Sequence, residues 1–340
     1  MDSKPVDILI DYPLTDEQVR SLEQISDNVR ISHFPGQKFE EIPAEDKEKA
    51  EVLLTSKAEP SPEEMPGLQW IQYSRAGISF MDESPLLERD GFRATSLSGA
   101  VSLPVAEYAV GMMLALGHKL PQGYVYQDKK VWPPDRWERF QPRELRGSTV
   151  GLIGYGSIGR EIARLLQPFK VEILATKKDL MSVEYSGYMP EGTGDREGLL
   201  FRRLYPPEAI KSMLSLCDFV VVCVPLTDET EGIIGMDELG AMKKTAYLVA
   251  VGRGGQVDEA ALASALREKR ITGAALDVFE SEPLPKESPL WEVPNLVITP
   301  HIAGNTARYP ELVFELFSAN LKRYLKGDRL FNTFDAEKGY

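Results

Sequence analysis

The hexapeptide Gly154-Tyr155-Gly156-Ser157-Ile158-Gly159 follows an apolar run, Thr149 to Ile153, and opens an amphipathic segment. That order constrains the chain to a strand, a tight turn and a helix. The first glycine permits the turn, and the second lets backbone amides approach a pyrophosphate. The third lets the helix pack close, so that its amino end faces the anion. The glycine spacing alone arises in other contexts; the flanking strand and helix make it a dinucleotide signature.

At 340 residues the chain is long enough for two domains, each with an ordinary core. A hydrophobic share of 43% with 27% charged residues describes a soluble globular protein. The net charge of −13 repels phosphates, so nucleic acid is not an expected partner. Cys217 and Cys223 lie in or beside an apolar run. They are expected as buried thiols in a reducing compartment, and no CxxC or HExxH spacing suggests a metal. The start, MDSKPVDILID, lacks the regions of a signal peptide, and no apolar stretch is long enough to span a membrane. A cytoplasmic protein is expected.

Val6 to Ile10 reads as a buried strand, followed by a helix at Thr15, where Thr15-Asp16-Glu17-Gln18 resembles a capping box. Strand-like runs recur at Val29 to Ile31, Val52 to Leu54 and Leu68 to Tyr73, the rhythm of a small α/β domain. Pro104 to Leu116 is a helix apolar nearly all round, of the kind that lies between domains or subunits. Gly123 to Phe140, with Trp132 and Trp137, reads as an irregular arm. From Thr149 the rhythm is regular, with strands at Thr149–Ile153, Val171–Ala175, Phe219–Val224, Ala246–Val251, Gly273–Leu276 and Leu296–Thr299. Helix-length segments such as Ser157–Gln167, Pro206–Ser215 and Glu259–Glu268 separate them, which predicts a doubly wound parallel sheet. Ser182 to Arg202 breaks the rhythm and reads as an exposed, mobile insertion, with a lid over the adenosine end as the alternative. A last helix, Pro310 to Leu325, precedes a polar tail of the kind that packs back on the first domain.

Ligands of open parallel sheets bind beyond the carboxyl ends of the strands. There the fourth strand runs into Gly252-Arg253, the fifth into Asp277 with Glu282 beyond it, and the sixth into Pro300-His301. Each residue alone has a dull explanation, as a solvated side chain or a cap; together at successive strand ends they mark a site. Of the three histidines, His33 falls in a loop and His118 ends the apolar helix. His301 is therefore the candidate proton donor.

With these blocks in view, the chain resembles the D-isomer-specific 2-hydroxyacid dehydrogenases, particularly their glyoxylate/hydroxypyruvate reductase branch. The resemblance covers nearly the whole chain. It rests on residues 150–166, on VVVCVPLTDET (220–230), VGRGGQVDEAAL (251–262), GAALDVFESEPL (273–284) and NLVITPHIAGNT (295–306), and on the tail FNTFDAEKGY. It implies a Rossmann cofactor domain, residues 103–301, inserted into a smaller flavodoxin-like α/β substrate domain built from 1–102 and 302–340. It implies that Arg253 holds the substrate carboxylate and carbonyl. His301 would protonate the keto oxygen as hydride arrives, and Glu282 would pair with His301 and favour the imidazolium. Ala76 and Gly77 would cradle the carboxylate through backbone amides. Asp277 would bind the nicotinamide carboxamide. Gly154, Gly156, Ser157, Ile158 and Gly159 would hold the pyrophosphate. Thr176, Val224, Pro225, Thr230, Val251, Gly252, His301 and Gly304 would line the rest of the cofactor site. A homodimer is also implied, acting on a small 2-oxo or 2-hydroxy acid without metal, membrane or nucleic acid.

The chain departs from the family pattern in two places. The family's NAD-binding acid sits eighteen positions past the last glycine, where this chain has Lys177, followed by Lys178. Lysine attracts a 2′-phosphate, so NADP(H) is expected over NAD(H), the alternative being solvated lysines in a tolerant loop. Arg75 stands beside Ala76-Gly77, either as an anchor for a second anionic group or as a solvent-facing side chain. The competing functions are a phosphoglycerate-dehydrogenase-type enzyme and a dinucleotide-sensing binding protein on the same fold.

Overall fold

Apolar runs of four or five residues become parallel strands buried on both faces, and this organises both halves of the chain. The structure is a computed structural model that describes residues 5–336. The first four residues of the MDSKPVDILID start and the last four of the FNTFDAEKGY tail lie outside the described residues. The chain forms two compact units. One comprises the residues up to Val101, Ser186–Tyr188 and the chain from Thr306; the other is Ser102–Tyr185 with Met189–Asn305.

The first unit begins with β1 (Val6–Ile10), α1 (Asp16–Glu23), β2 (Val29–His33), α2 (Ala44–Lys49), β3 (Val52–Thr55), β4 (Trp70–Tyr73) and β5 (Arg93–Thr95). The capping box forms: Gln18 N–H donates to Thr15 Oγ1 at 3.2 Å and Thr15 N–H to Gln18 Oε1 at 2.9 Å. The sheet order β2-β1-β3-β4-β5 is the flavodoxin-like one. Alternation sorts the strands onto two faces: Ile8, Ile10, Leu54 and Trp70 pack on Val313, Leu316 and Phe317 of the helix Tyr309–Lys326. Leu9, Leu53 and Ile71 point the other way, onto Ile42, Met65 and Met81. Strand β5, absent from the sequence reading, also bridges the tail through Thr95 and Thr333. His33 is not in a loop but ends β2, its Nε2 3.1 Å from Tyr12 O.

The second unit opens with α3 (Ser102–Gly117), α4 (Leu120–Asp128) and α5 (Arg136–Arg139). The supposed irregular arm is thus partly helical. It leaves Trp132 and Trp137 exposed, at 82% and 79%. The sheet follows with β6 (Thr149–Ile153), α6 (Ser157–Leu166), β7 (Glu172–Thr176), β8 (Arg203–Tyr205), α7 (Ile210–Leu214), β9 (Phe219–Val222), α8 (Met236–Ala241), β10 (Tyr247–Ala250), α9 (Glu259–Arg267), β11 (Gly273–Leu276) and β12 (Leu296–Ile298). The order β12-β11-β10-β9-β6-β7-β8 is parallel throughout. It reverses between β6 and β9, which defines the switch point. Val220, Val222 and Leu248 face the cluster built on α7, α8 and α9, while Phe219, Val221 and Val249 face that of α3 and α6. The sequence reading found six of these strands and missed β8.

The insertion 182–202 is not a loose loop. Asp195 is buried; its carboxylate accepts from Tyr155 Oη at 2.6 Å and from the N–H groups of Leu199 and Leu200 at 2.9 and 3.0 Å. Gly194 N–H donates to Glu161 Oε2 at 2.5 Å. The Arg160 guanidinium, 0% exposed, donates to the carbonyls of Asp195 and Val183. Residues Ser186–Tyr188 group with the first unit, where Tyr188 N–H donates to Asn332 Oδ1 at 3.3 Å.

Candidate active site

The glycine turn sits at the switch point of the second unit's sheet. Gly154 has φ +102°, and a Cβ there would lie 2.8 Å from Val224 Cγ1, just past β9. A Cβ on Gly159 would lie 2.3 Å from Gly154 O. Both positions therefore require glycine, one for conformation and packing and the other for packing. Gly156 is different: a Cβ there would meet nothing within 4 Å. Its bare backbone borders open space at the amino end of α6, whose first amides have no intrahelical acceptor. A pyrophosphate fits this cradle. Thr176 at the end of β7 steadies it, accepting Gly154 N–H on Oγ1 at 3.1 Å.

The three strands β10, β11 and β12 are neighbours in the sheet, so the segments that leave them emerge side by side. Two inter-strand spacings amount to roughly 10 Å, within reach of an arginine and a histidine that share one small ligand. His301 and Glu282 meet: Nδ1 and Oε2 are 2.7 Å apart, with the side chains 46% and 35% exposed. Glu282 is itself aimed by Phe279 N–H, which donates to Oε1 at 3.0 Å.

Asp277 is buried, and its carboxylate collects Thr299 Oγ1 at 2.6 Å, Ile302 N–H at 2.9 Å and Ala303 N–H at 2.8 Å. It thus staples the turn that presents His301. Tyr108 of α3 extends this network, its hydroxyl 2.5 Å from Thr299 Oγ1. Burial pushes the Tyr108 phenol up to about 12, so it stays a donor at neutral pH.

Arg253 is half-buried, with Nη1 donating to Gly252 O at 2.7 Å and its own N–H donating to Gln256 Oε1 at 2.9 Å. Gln256 Nε2 in turn donates to Val224 O at 2.8 Å, tying the β10 loop to the β9 loop. Sequence reasoning missed Gln256, Tyr108 and Thr299. Gln256 and Thr299 carried a local signal, three residues past Arg253 and two before His301 within the blocks 251–262 and 295–306, whereas Tyr108 carried none. Thr230 Oγ1 donates to Pro225 O at 2.6 Å and fixes the loop after β9. Val251 is buried beside Gly252, and Gly304 follows the Asp277 staple.

The two lysines after β7 differ. Lys178 is exposed and ion-paired with Glu229 at 2.7 Å. Lys177 is half-buried; burial lowers its pKa, Asp179 opposes this, and the Arg160 charge adds to it. In the first unit, Arg75 is exposed, lies 4.6 Å over the Phe80 ring and donates from Nε to Gly77 O at 2.9 Å. Beside it, Ser74 O accepts from Tyr309 Oη at 2.8 Å, and Leu97 N–H donates to Arg75 O at 2.9 Å, which holds the loop Arg75-Ala76-Gly77.

Both cysteines are buried and free, and burial pushes each thiol up to about 12. Among the described residues no group of His, Cys, Asp and Glu is placed to hold a metal, and no helix is long and apolar enough to cross a membrane.

Comparison with known proteins places the chain in a family. The family model for the NAD binding domain of the D-isomer specific 2-hydroxyacid dehydrogenases matches residues 110–303. The chain belongs to that family. Its members are NAD(P)-dependent dehydrogenases and reductases. A glyoxylate reductase of Thermofilum pendens is 35% identical over 83% of this chain and 80% of its own length. A D-3-phosphoglycerate dehydrogenase of Methanocaldococcus jannaschii is 32% identical over 95% of this chain, which spans only 58% of that relative. Among solved structures, an NADPH-dependent glyoxylate/hydroxypyruvate reductase from Sinorhizobium meliloti in complex with citrate superposes with a TM-score of 0.70 at 27% identity, covering 98% of each chain.

Proposed function

We propose that the protein reduces a small 2-oxo acid of the glyoxylate or hydroxypyruvate kind to the D-2-hydroxy acid, preferring NADPH. The observation that carries this reading is the His301–Glu282 pair at 2.7 Å, at the strand ends of a sheet whose switch point holds the glycine turn. Residues 103–301 act as the dinucleotide domain, and 1–102 with 302–340 as the substrate domain.

The bound dinucleotide supplies the hydride. Glu282 takes the Nδ1 side of His301, which leaves Nε2 to give a proton to the keto oxygen. Arg253 anchors the carboxylate and carbonyl, so two cationic donors stabilise the alkoxide as it forms. The amides of Ala76 and Gly77 receive the carboxylate. Asp277 accepts from the carboxamide with the lone pairs its loop donors leave. Lys177 attracts the 2′-phosphate, with Lys178 in support once it exchanges its pairing with Glu229. Protomers pair as a homodimer through the aromatic arm.

The test is steady-state reduction of glyoxylate and hydroxypyruvate with each cofactor. Turnover with a clear NADPH preference is expected, and Lys177→Ala should erase that preference. A clear NADH preference in the wild type removes the cofactor assignment. The second reading, a phosphoglycerate-dehydrogenase-type enzyme, draws on the 32% identity to the Methanocaldococcus relative and on Arg75 as its phosphate anchor. Oxidation of 3-phosphoglycerate that weakens on Arg75→Ala would favour it. Dinucleotide binding without turnover of any 2-oxo acid would mark a sensor.

A further inference from the structure

The insertion carries a residue to the head of the glycine helix. Ser157 is the first residue of α6, next to the open backbone of Gly156. The Tyr185 side chain lies beside Ser157 and is half-buried. Burial raises the Tyr185 pKa, and the Ser157 contact and the Arg160 and Arg196 charges only partly oppose that rise. The phenol therefore stays protonated at neutral pH and retains its own O–H to donate onward.

Its position is built, not incidental. Tyr185 N–H donates to Arg196 O at 2.9 Å, and Arg196 Nη1 donates back to Tyr185 O at 2.8 Å. Two residues earlier, Val183 O is held by Arg160, whose guanidinium lies 4.8 Å from the Tyr155 ring and 5.4 Å from the Tyr185 ring. Arg160 follows Gly159 directly, is wholly buried, and its Nε is the one buried side-chain polar atom without a partner among the described residues. A buried cation one residue past the glycine turn adds to the positive end of the α6 dipole. The Arg160 charge and the α6 dipole favour an anion here, and the nearby buried carboxylates are already taken up, Asp195 by Tyr155 and two amides and Glu161 by Arg164 and Gly194 N–H.

We propose that Tyr185 is a phosphate ligand of the dinucleotide site, its O–H joining Ser157 and the α6 amides at the pyrophosphate, with Arg160 and Arg196 as positioning residues. This rests on the dinucleotide reading above. The insertion is then a fixed wall of the cofactor site and not a lid.

Both NADPH and NADH carry the pyrophosphate, which makes the expected signature specific. Calorimetric titration of the purified protein with each dinucleotide should show Tyr185→Phe weakening both by the same factor, about tenfold for one hydrogen bond to a charged group. The ligand-free melting temperature should hold, because the ring stays on Arg160. Arg196→Ala, an exposed change, should produce a smaller loss of the same kind, restored by Arg196→Lys. Unchanged affinities, a loss confined to NADPH, or tighter binding by the variant would each overturn the proposal while leaving the cofactor reading intact. A wild-type protein that binds neither dinucleotide would overturn both.

Discussion

His301 holds its imidazole on a left-handed backbone, φ +52°, in a turn where its own N–H donates to Thr299 O at 3.0 Å. A non-glycine residue there stores about 1–3 kcal/mol of strain, sustained when its surroundings over-determine it. The Asp277 carboxylate is that surrounding, since it gathers donors from both sides of the turn. The proposed roles predict that His301→Gln lowers kcat by about 10²–10⁴-fold while dinucleotide affinity holds. Glu282→Gln, which keeps the shape but not the charge, should lower kcat less. Stopped-flow turnover alongside calorimetric binding measures both; a His301→Gln enzyme with near-wild-type kcat would remove His301 as the acid. His301 and Glu282 were legible in the sequence because both lie in the segments that leave successive apolar strands. Tyr108 was not, because its partner Thr299 is 191 residues further along the chain.

At the scale of elements, the amino edge of the second unit's sheet is tied by one carboxylate. Asp218 is buried; it accepts Thr149 N–H at 3.0 Å and pairs with Arg143 at 2.5 Å and Lys243 at 3.0 Å. Burial pushes its pKa up, but the Thr149 amide, Arg143 and Lys243 together outweigh this and leave it lowered. A depressed carboxylate contributes stability that is present above its unfolded pKa, about 3.9, and is lost as pH falls through the folded value. Asp218→Asn should therefore cost about 1–3 kcal/mol at neutral pH, with the gap to wild type closing as the solution is acidified below about pH 4. Urea unfolding across that range checks this; a gap independent of pH would assign the loss to packing and not to charge. The long, wholly apolar strands were readable from sequence. The three-residue edge strands Arg93–Thr95 and Arg203–Tyr205 were not, because an edge buries too little apolar surface to leave a pattern.

For the molecule as a whole, the proposed dimer makes a separate claim. The arm of α4 and α5 leaves Leu120, Tyr124, Val125, Val131, Trp132 and Trp137 exposed, the last two by about four-fifths. Exposed apolar side chains along one arm are what a subunit interface would cover. Replacing Trp132 and Trp137 with serine should halve the mass seen by light scattering in solution while leaving helix content unchanged. A wild-type protein that is monomeric at micromolar concentration would end the dimer proposal.

The amino-acid sequence by itself determined the parallel α/β class, the glycine turn, the order of the main strands and the residues at their carboxyl ends. Each depends on short-range rules of periodicity, turn chemistry and β6–α6 succession. Tertiary structure alone decided that Asp277 staples the His301 turn, that Lys178 is paired while Lys177 is half-buried, and that Arg160 binds down an insertion that reads as loose. Those outcomes depend on which carbonyls and carboxylates distant segments bring to a buried donor. A chain read in one dimension carries no trace of that choice until burial makes an unpartnered charge costly.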